Sequence, residues 1–223
     1  MRVIAFGCSY TYGHGLPDCV DKNNHKAPGP NPSIFSWANL FATKHMQRPC
    51  VNMSNCGASN QRIAWNILNF DFRENDYVII MWTHPFRNGM INQDKTVTEF
   101  KWYNLNEKRS KLYYQHIDND VNSLYNYASS INLVEKYLKT KQIQFLNLEH
   151  VDSKNLYKEH DLINLHNTLE FHNYGLYFSA PPIRFQDVAV DKRHPGRKAH
   201  HWYASQLAEK TKVKFNLENI FKK

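Results

Sequence analysis

The sequence predicts an α/β protein built on a mainly parallel sheet of four to five strands. Short, wholly apolar runs of strand length alternate with longer segments of helical period. With 42% hydrophobic and 22% charged residues, the composition excludes a disordered or collagen-like chain. A length of 223 residues fits one domain, which buries its core without help from metal or disulfide.

The first strand is the apolar run 3–6. A polar loop rich in Pro and Gly follows over 13–32, and then Ile34, Trp37, Ala38 and Phe41 repeat at the i, i+3, i+4, i+7 spacing of a helix facing a core. Residues 50–53 form a second strand, and Ser59 is placed to cap a helix burying Ile63, Ile67 and Leu68. The run 77–82 suits a strand buried on both faces. The stretch 85–116 has no clean period and reads as a lid or insertion. Its aromatic residues Phe100, Trp102, Tyr103, Tyr113 and Tyr114 serve either as lid packing or as a platform for a sugar. The strongest helical pattern follows, with Ile117, Val121, Leu124, Tyr125, Ala128, Ile131, Val134 and Leu138 in one stripe and a basic turn at 136–141 suited to a helix C-terminus. A fourth strand is expected at 143–148, a helix around 156–169 and a short strand near 176–178. Ala199, Trp202, Tyr203 and Leu207 mark a closing helix begun by Pro195.

No eighteen-residue apolar run occurs, and the first strand is too short for a signal-peptide core, so a soluble, cytoplasmic protein is expected. The net charge of +8 comes from scattered basic residues, which predict a solvated surface and no nucleic-acid partner. Cys8, Cys19, Cys50 and Cys56 make no CxxC pair and are expected as free thiols. With His14 they match no common zinc spacing, so no metal is expected. Oligomeric state leaves no trace in the sequence.

In an open parallel sheet, ligands bind beyond the carboxyl ends of the strands. After strand one comes Gly7-Cys8-Ser9-Tyr10-Thr11, after strand two Asn55-Cys56-Gly57-Ala58-Ser59-Asn60, and after strand three Trp82-Thr83-His84-Pro85. Asp191-Lys192-Arg193-His194-Pro195 lies near the C-terminus. Acyl transfer by a serine needs a base, a group that orients the base, and donors for the oxyanion. Ser9 supplies the hydroxyl. Asp191 and His194, three residues apart, can share one turn, and Pro195 biases His194 toward extended backbone. The amides of Ser9 and Gly57 are candidate oxyanion donors.

These stretches resemble, in order and spacing over most of the chain, the SGNH (GDSL-like) hydrolases, and more closely the short versions encoded by phages. Gly7-Cys8-Ser9-Tyr10-Thr11 looks like the nucleophile block, Gly57 like the second-block glycine, and Asp191 with His194 like the final Asp-x-x-His block. The resemblance implies a three-layer α/β/α, flavodoxin-like fold, with Ser9 as nucleophile, His194 as base and Asp191 as its partner, and no cofactor. It implies an esterase acting on a small-molecule or glycan ester, O-acetyl groups on carbohydrate among them. Cys8 stands where the family usually has Asp. Where the third block normally supplies an Asn side chain to the oxyanion, this chain has His84, with Thr83 beside it. Loss of one such donor costs about 10²–10³ in rate. Asn60 and Tyr10 are candidate substrate contacts. The alternative reading is a catalytically weak or inactive protein of the same fold, a virion or glycan-recognition component. An α/β-hydrolase would carry its serine in a G-x-S-x-G elbow, and here Thr11 stands two positions after Ser9.

Overall fold

Alternation along the strands decides how the sheet is covered. In β1 (Val3–Phe6), Val3 and Ala5 join one core while Ile4 and Phe6 join the other. In β3 (Tyr77–Trp82), Tyr77, Ile79 and Met81 divide from Val78, Ile80 and Trp82 in the same way. Both strands are buried along their full length, so each face must carry helices. The computed structural model describes residues 1–21, 26–100, 106–172, 176–178 and 187–215.

The sheet runs β2-β1-β3-β6, all parallel, with β2 at Cys50–Asn52 and β6 at Gln144–Glu149. On one face lie α2 (Trp37–Leu40), the π turn that continues it over Phe41–His45, and α8 (Arg197–Phe215). They contribute Trp37, Phe41, Tyr203 and Leu207 to the first core. The other face is covered by α3 (Asn60–Leu68) and α5 (Asp120–Thr140), through Ile63, Ile67, Leu124, Ile131 and Leu138. This is the three-layer α/β/α arrangement. From β1 the chain moves outward to β2 and then returns to place β3 on the opposite side of β1. The switch point therefore lies between the carboxyl ends of β1 and β3.

Several elements differ from expectation. Ile34 lies outside its predicted helix and is 61% exposed. The helix starts only after Ser36, whose Oγ accepts from the Asn39 amide at 3.4 Å. The predicted stripe of α5 is wrong in its first turns: Asn119 caps the helix by accepting from the Asn122 amide at 2.9 Å, which leaves Ile117 outside it, and Val121 and Tyr125 lie on its solvent face. Ile117, Val121 and Tyr125 are left exposed, and the buried face is Leu124, Tyr127, Ala128, Ile131, Val134 and Leu138. The helix expected at 156–169 is two short ones, α6 (Lys154–Glu159) and α7 (Ile163–His166), separated at Asp161, whose φ of 57° no helix continues through. Residues 176–178 form no strand. Leu176 and Phe178 instead fill the first core beside Tyr203.

The stretch 85–116 contains an antiparallel hairpin, β4 (Asn88–Ile91) with β5 (Val97–Phe100), followed by α4 (Lys108–His116). Phe100 stacks on Tyr113 with centroids 4.0 Å apart, which is packing. Trp102 and Tyr103 lie outside the described residues. The hairpin docks on the start of α3, where Glu99 accepts from the Ser59 amide at 2.9 Å and pairs with Arg62. No described helix is long and apolar enough to cross a membrane.

Candidate active site

β1 ends at Phe6, and Ser9 opens α1 (Ser9–Tyr12), a single turn at the switch point. Cys8, in extended backbone, precedes that turn without a capping side chain. Ser9 is 6% exposed.

The partner of Ser9 comes from the far end of the chain. His194 Nε2 is 3.0 Å from Ser9 Oγ, and His194 Nδ1 is 2.6 Å from Asp191 Oδ2. The loop carrying both is tied at several points. The His194 and Arg193 amides donate to Asp191 Oδ1 at 3.1 Å each, and the Ala189 amide donates to the His194 carbonyl at 2.8 Å. Asp187 accepts from the Lys198 and Ala199 amides at 2.9 Å, capping α8. Burial works to raise the Asp191 carboxyl. The hydrogen bond from His194 and those from the two amides outweigh it and hold the group below its ordinary value, as an anion at neutral pH. An imidazole with its Nδ1 edge on a carboxylate keeps Nε2 as the acceptor facing the hydroxyl, the arrangement that lets a serine be deprotonated as it attacks.

The loop that carries Gly57 is tied to the turn before Ser9 by the Asn55 amide, which donates to the Gly7 carbonyl at 3.1 Å. Gly57 takes φ 80°, a conformation glycine adopts without cost, and a Cβ there would meet nothing within 4 Å. Its N–H makes no hydrogen bond among the described residues. Asn60 is 1% exposed and joins the two loops. Its Oδ1 accepts from the Thr83 amide at 3.0 Å, and its Nδ2 donates to the His84 carbonyl at 3.1 Å. Thr83 is buried, and its hydroxyl has no hydrogen-bond partner among the described residues. Burial, and then the nearby Arg87, pull the His84 imidazole down to about 4, so it is neutral at pH 7. Its Nδ1 accepts from the Phe86 amide at 3.3 Å, which leaves Nε2 as the protonated nitrogen. Tyr10 is half-buried, its ring 5.5 Å from those of His194 and Phe178 and 5.0 Å from that of His150.

The geometry thus joins Ser9, His194 and Asp191 directly, and links the Gly57 loop to Thr83 and His84 through Asn60. Sequence reasoning overlooked His14, which entered it only as a partner for cysteines. Its ring stacks on His194 at 4.4 Å and 14°, and its Nε2 is 3.5 Å from Asp191 Oδ2. The only available signal was its nearness to Ser9 in Gly13-His14-Gly15. Among the described residues, His14, Asp191 and His194 are the one group whose ligand atoms come within 4.8 Å of one another, and no cysteine joins them. Both ring nitrogens of His194 are already engaged, Nδ1 by Asp191 and Nε2 by Ser9.

The fold that positions these groups is also that of a protein described as lipolytic, of the G-D-S-L family, from Desulfitobacterium hafniense. The two share 13% identity over 94% of this chain and 98% of that one, with a TM-score of 0.50. A G-D-S-L lipolytic protein from Veillonella parvula aligns at 13% identity over 97% and 98%, TM-score 0.47. A protein described as a GDSL-like lipase from Parabacteroides merdae aligns at 16% over 96% of each chain, TM-score 0.49. No family model and no curated protein matches the chain.

Proposed function

We propose that this protein is a serine hydrolase of the SGNH type that cleaves carboxylic esters through an acyl-enzyme. The observation that carries the reading is the unbroken chain Ser9 Oγ, His194 Nε2, His194 Nδ1, Asp191 Oδ2, at 3.0 and 2.6 Å. Ser9 Oγ attacks the ester carbonyl while its proton passes to His194 Nε2. The carbonyl π pair becomes an oxyanion, for which the N–H groups of Ser9 and Gly57 and the Nε2–H of His84 are the proposed donors. Collapse expels the alcohol, which takes the proton from His194. Water then repeats the sequence on the acyl group, releasing the acid and free Ser9. Asp191 stays ionised throughout and stabilises the imidazolium. Small acyl groups on carbohydrate, such as O-acetyl esters, are the proposed substrates, with Tyr10 at the rim as a candidate contact.

Labelling by a fluorophosphonate probe followed by peptide mapping tests the reading. Modification at Ser9 that is absent in Ser9→Ala and strongly slowed in His194→Ala is the expected result. Wild type labelled no faster than Ser9→Ala, with equal turnover of p-nitrophenyl acetate, would overturn it and leave glycan binding without turnover as the reading to pursue.

A further inference from the structure

We infer that His14 is a positioning residue for this hydrolysis, holding the His194 ring in plane and offering its π face to the imidazolium that forms at each proton transfer. The inference rests on the Ser9–His194–Asp191 reading above.

His14 touches all three members of that chain. Its amide donates to the Ser9 carbonyl at 3.0 Å, its ring lies 4.4 Å from the His194 ring at 14°, and its Nε2 faces Asp191 Oδ2 at 3.5 Å. The next residue locks the same approach. The Val190 amide donates to the Gly15 carbonyl at 3.0 Å, and a Cβ on Gly15 would sit 2.9 Å from Asp191 Oδ1, so the 13–15 turn and the 189–191 loop are in direct contact. Tyr10 also meets the His194 ring, at 5.5 Å and 61°, so two rings as well as a carboxylate define its orientation.

The titratable groups facing His14 are His194 and Asp191. His194 has in addition Ser9, Tyr10 and, deeper in α8, His200. Burial, and then the neighbouring His194, lower His14, against a smaller opposing pull from Asp191. A neutral ring is what stacking on a developing cation requires, because two imidazoliums at this spacing would repel. At 3.5 Å its Nε2 lies beyond ordinary hydrogen-bond range, which leaves Asp191 Oδ2 to His194. His14 therefore supports the base without competing for the base's partner.

Three variants test this: His14→Ala, His14→Phe and His14→Gln, read by kcat and KM on p-nitrophenyl acetate, with thermal unfolding and circular dichroism confirming the fold. His14→Ala should lower kcat about ten-fold with KM little changed, a ten-fold change being about 1.4 kcal/mol. His14→Phe keeps the stack and should recover kcat to within about two-fold of wild type. If His14→Ala fails to fold, His14→Gln, which retains bulk and a polar edge but no ring, carries the same expectation. Equal kcat in wild type and the ring-less variant, or a His14→Phe variant as slow as the ring-less one, overturns the inference. Wild type that neither labels with fluorophosphonate nor turns over ester refutes the hydrolase reading and this role with it. Labelling of wild type with unchanged kcat in the variants refutes the role alone.

Discussion

The two halves of the candidate site are built by different means. On the side proposed for proton transfer, the candidate groups are side chains, and their directions are set by main-chain bonds: two amides on Asp191 Oδ1, the Ala189–His194 contact, and Asp187 on the start of α8. On the side proposed for the oxyanion, the candidate donors are mainly N–H bonds of the backbone. The side chain that matters most there, Asn60, works behind the surface, holding Thr83 and His84 against the Gly57 loop. The first half depends on which side chains are present and the second on where the backbone runs. That difference explains how His84 can stand where the resemblance expects an amide. A neutral Nε2–H is a donor too, and the course of the loop is kept by Asn60.

Asp191→Asn should have the largest effect. An amide cannot stabilise the imidazolium and favours the wrong tautomer, so kcat should fall by about 10⁴ with the fold intact. His84→Ala removes one oxyanion donor and should cost about 10² in kcat, read on the same ester. If the two variants lose equally, the contrast between the halves breaks. If His84→Ala is silent, the contrast sharpens, because the oxyanion side is then wholly main-chain. Gly57→Ala should be milder still. Its methyl enters open space, and the left-handed φ of 80° costs about 1 kcal/mol of stability in urea denaturation, with kcat reduced less than in His84→Ala.

The smallest effects concern pH and the layers beneath each half. Burial pulls His150 and His200 down to about 3 each, while the unfolded chain takes up protons near 6.5. The unfolded state therefore binds more protons below pH 6.5, and stability should fall as pH drops from there toward about 3. Glu149, raised to about 8 by burial, acts in the opposite direction. Its native form keeps a proton that the unfolded chain sheds near 4.5, so stability is lost as pH rises from there through about 8. Glu149→Gln should remove the loss that Glu149 causes between about pH 4.5 and about pH 8 and leave the slope below about pH 4.5 unchanged, as urea titrations from about pH 3.5 to about pH 9 would show.

Much of this was legible where one force dominates. β1 and β3 are apolar along their length and are buried as such. Ser59 caps α3 as expected, its Oγ accepting from the Arg62 amide at 3.2 Å. Ser9, Asp191 and His194 could be picked out because each follows or precedes a recognisable element at the same edge of the sheet. Legibility failed where a polar side chain competes with hydrophobic period. Ser36 and Asn119 start their helices later than the apolar spacing implies, exposing Ile34 and Ile117. The β4–β5 hairpin was invisible because its hold on α3 comes from Glu99 and Arg62, a pairing no periodicity announces. His14 was missed for a related reason, since a ring stack between two loops leaves no spacing to read.

The separation of 185 residues from Ser9 to His194 has a consequence for biosynthesis. A ribosome adding about 5–20 residues per second delivers the hydroxyl about 10 to 40 seconds before the imidazole. Until α8 emerges and docks beside Trp37 and Phe41, the growing polypeptide would carry the proposed nucleophile without its proposed base. On the proposed reading, reactivity would arrive only with this segment, which would make docking of α8 the event that arms the protein.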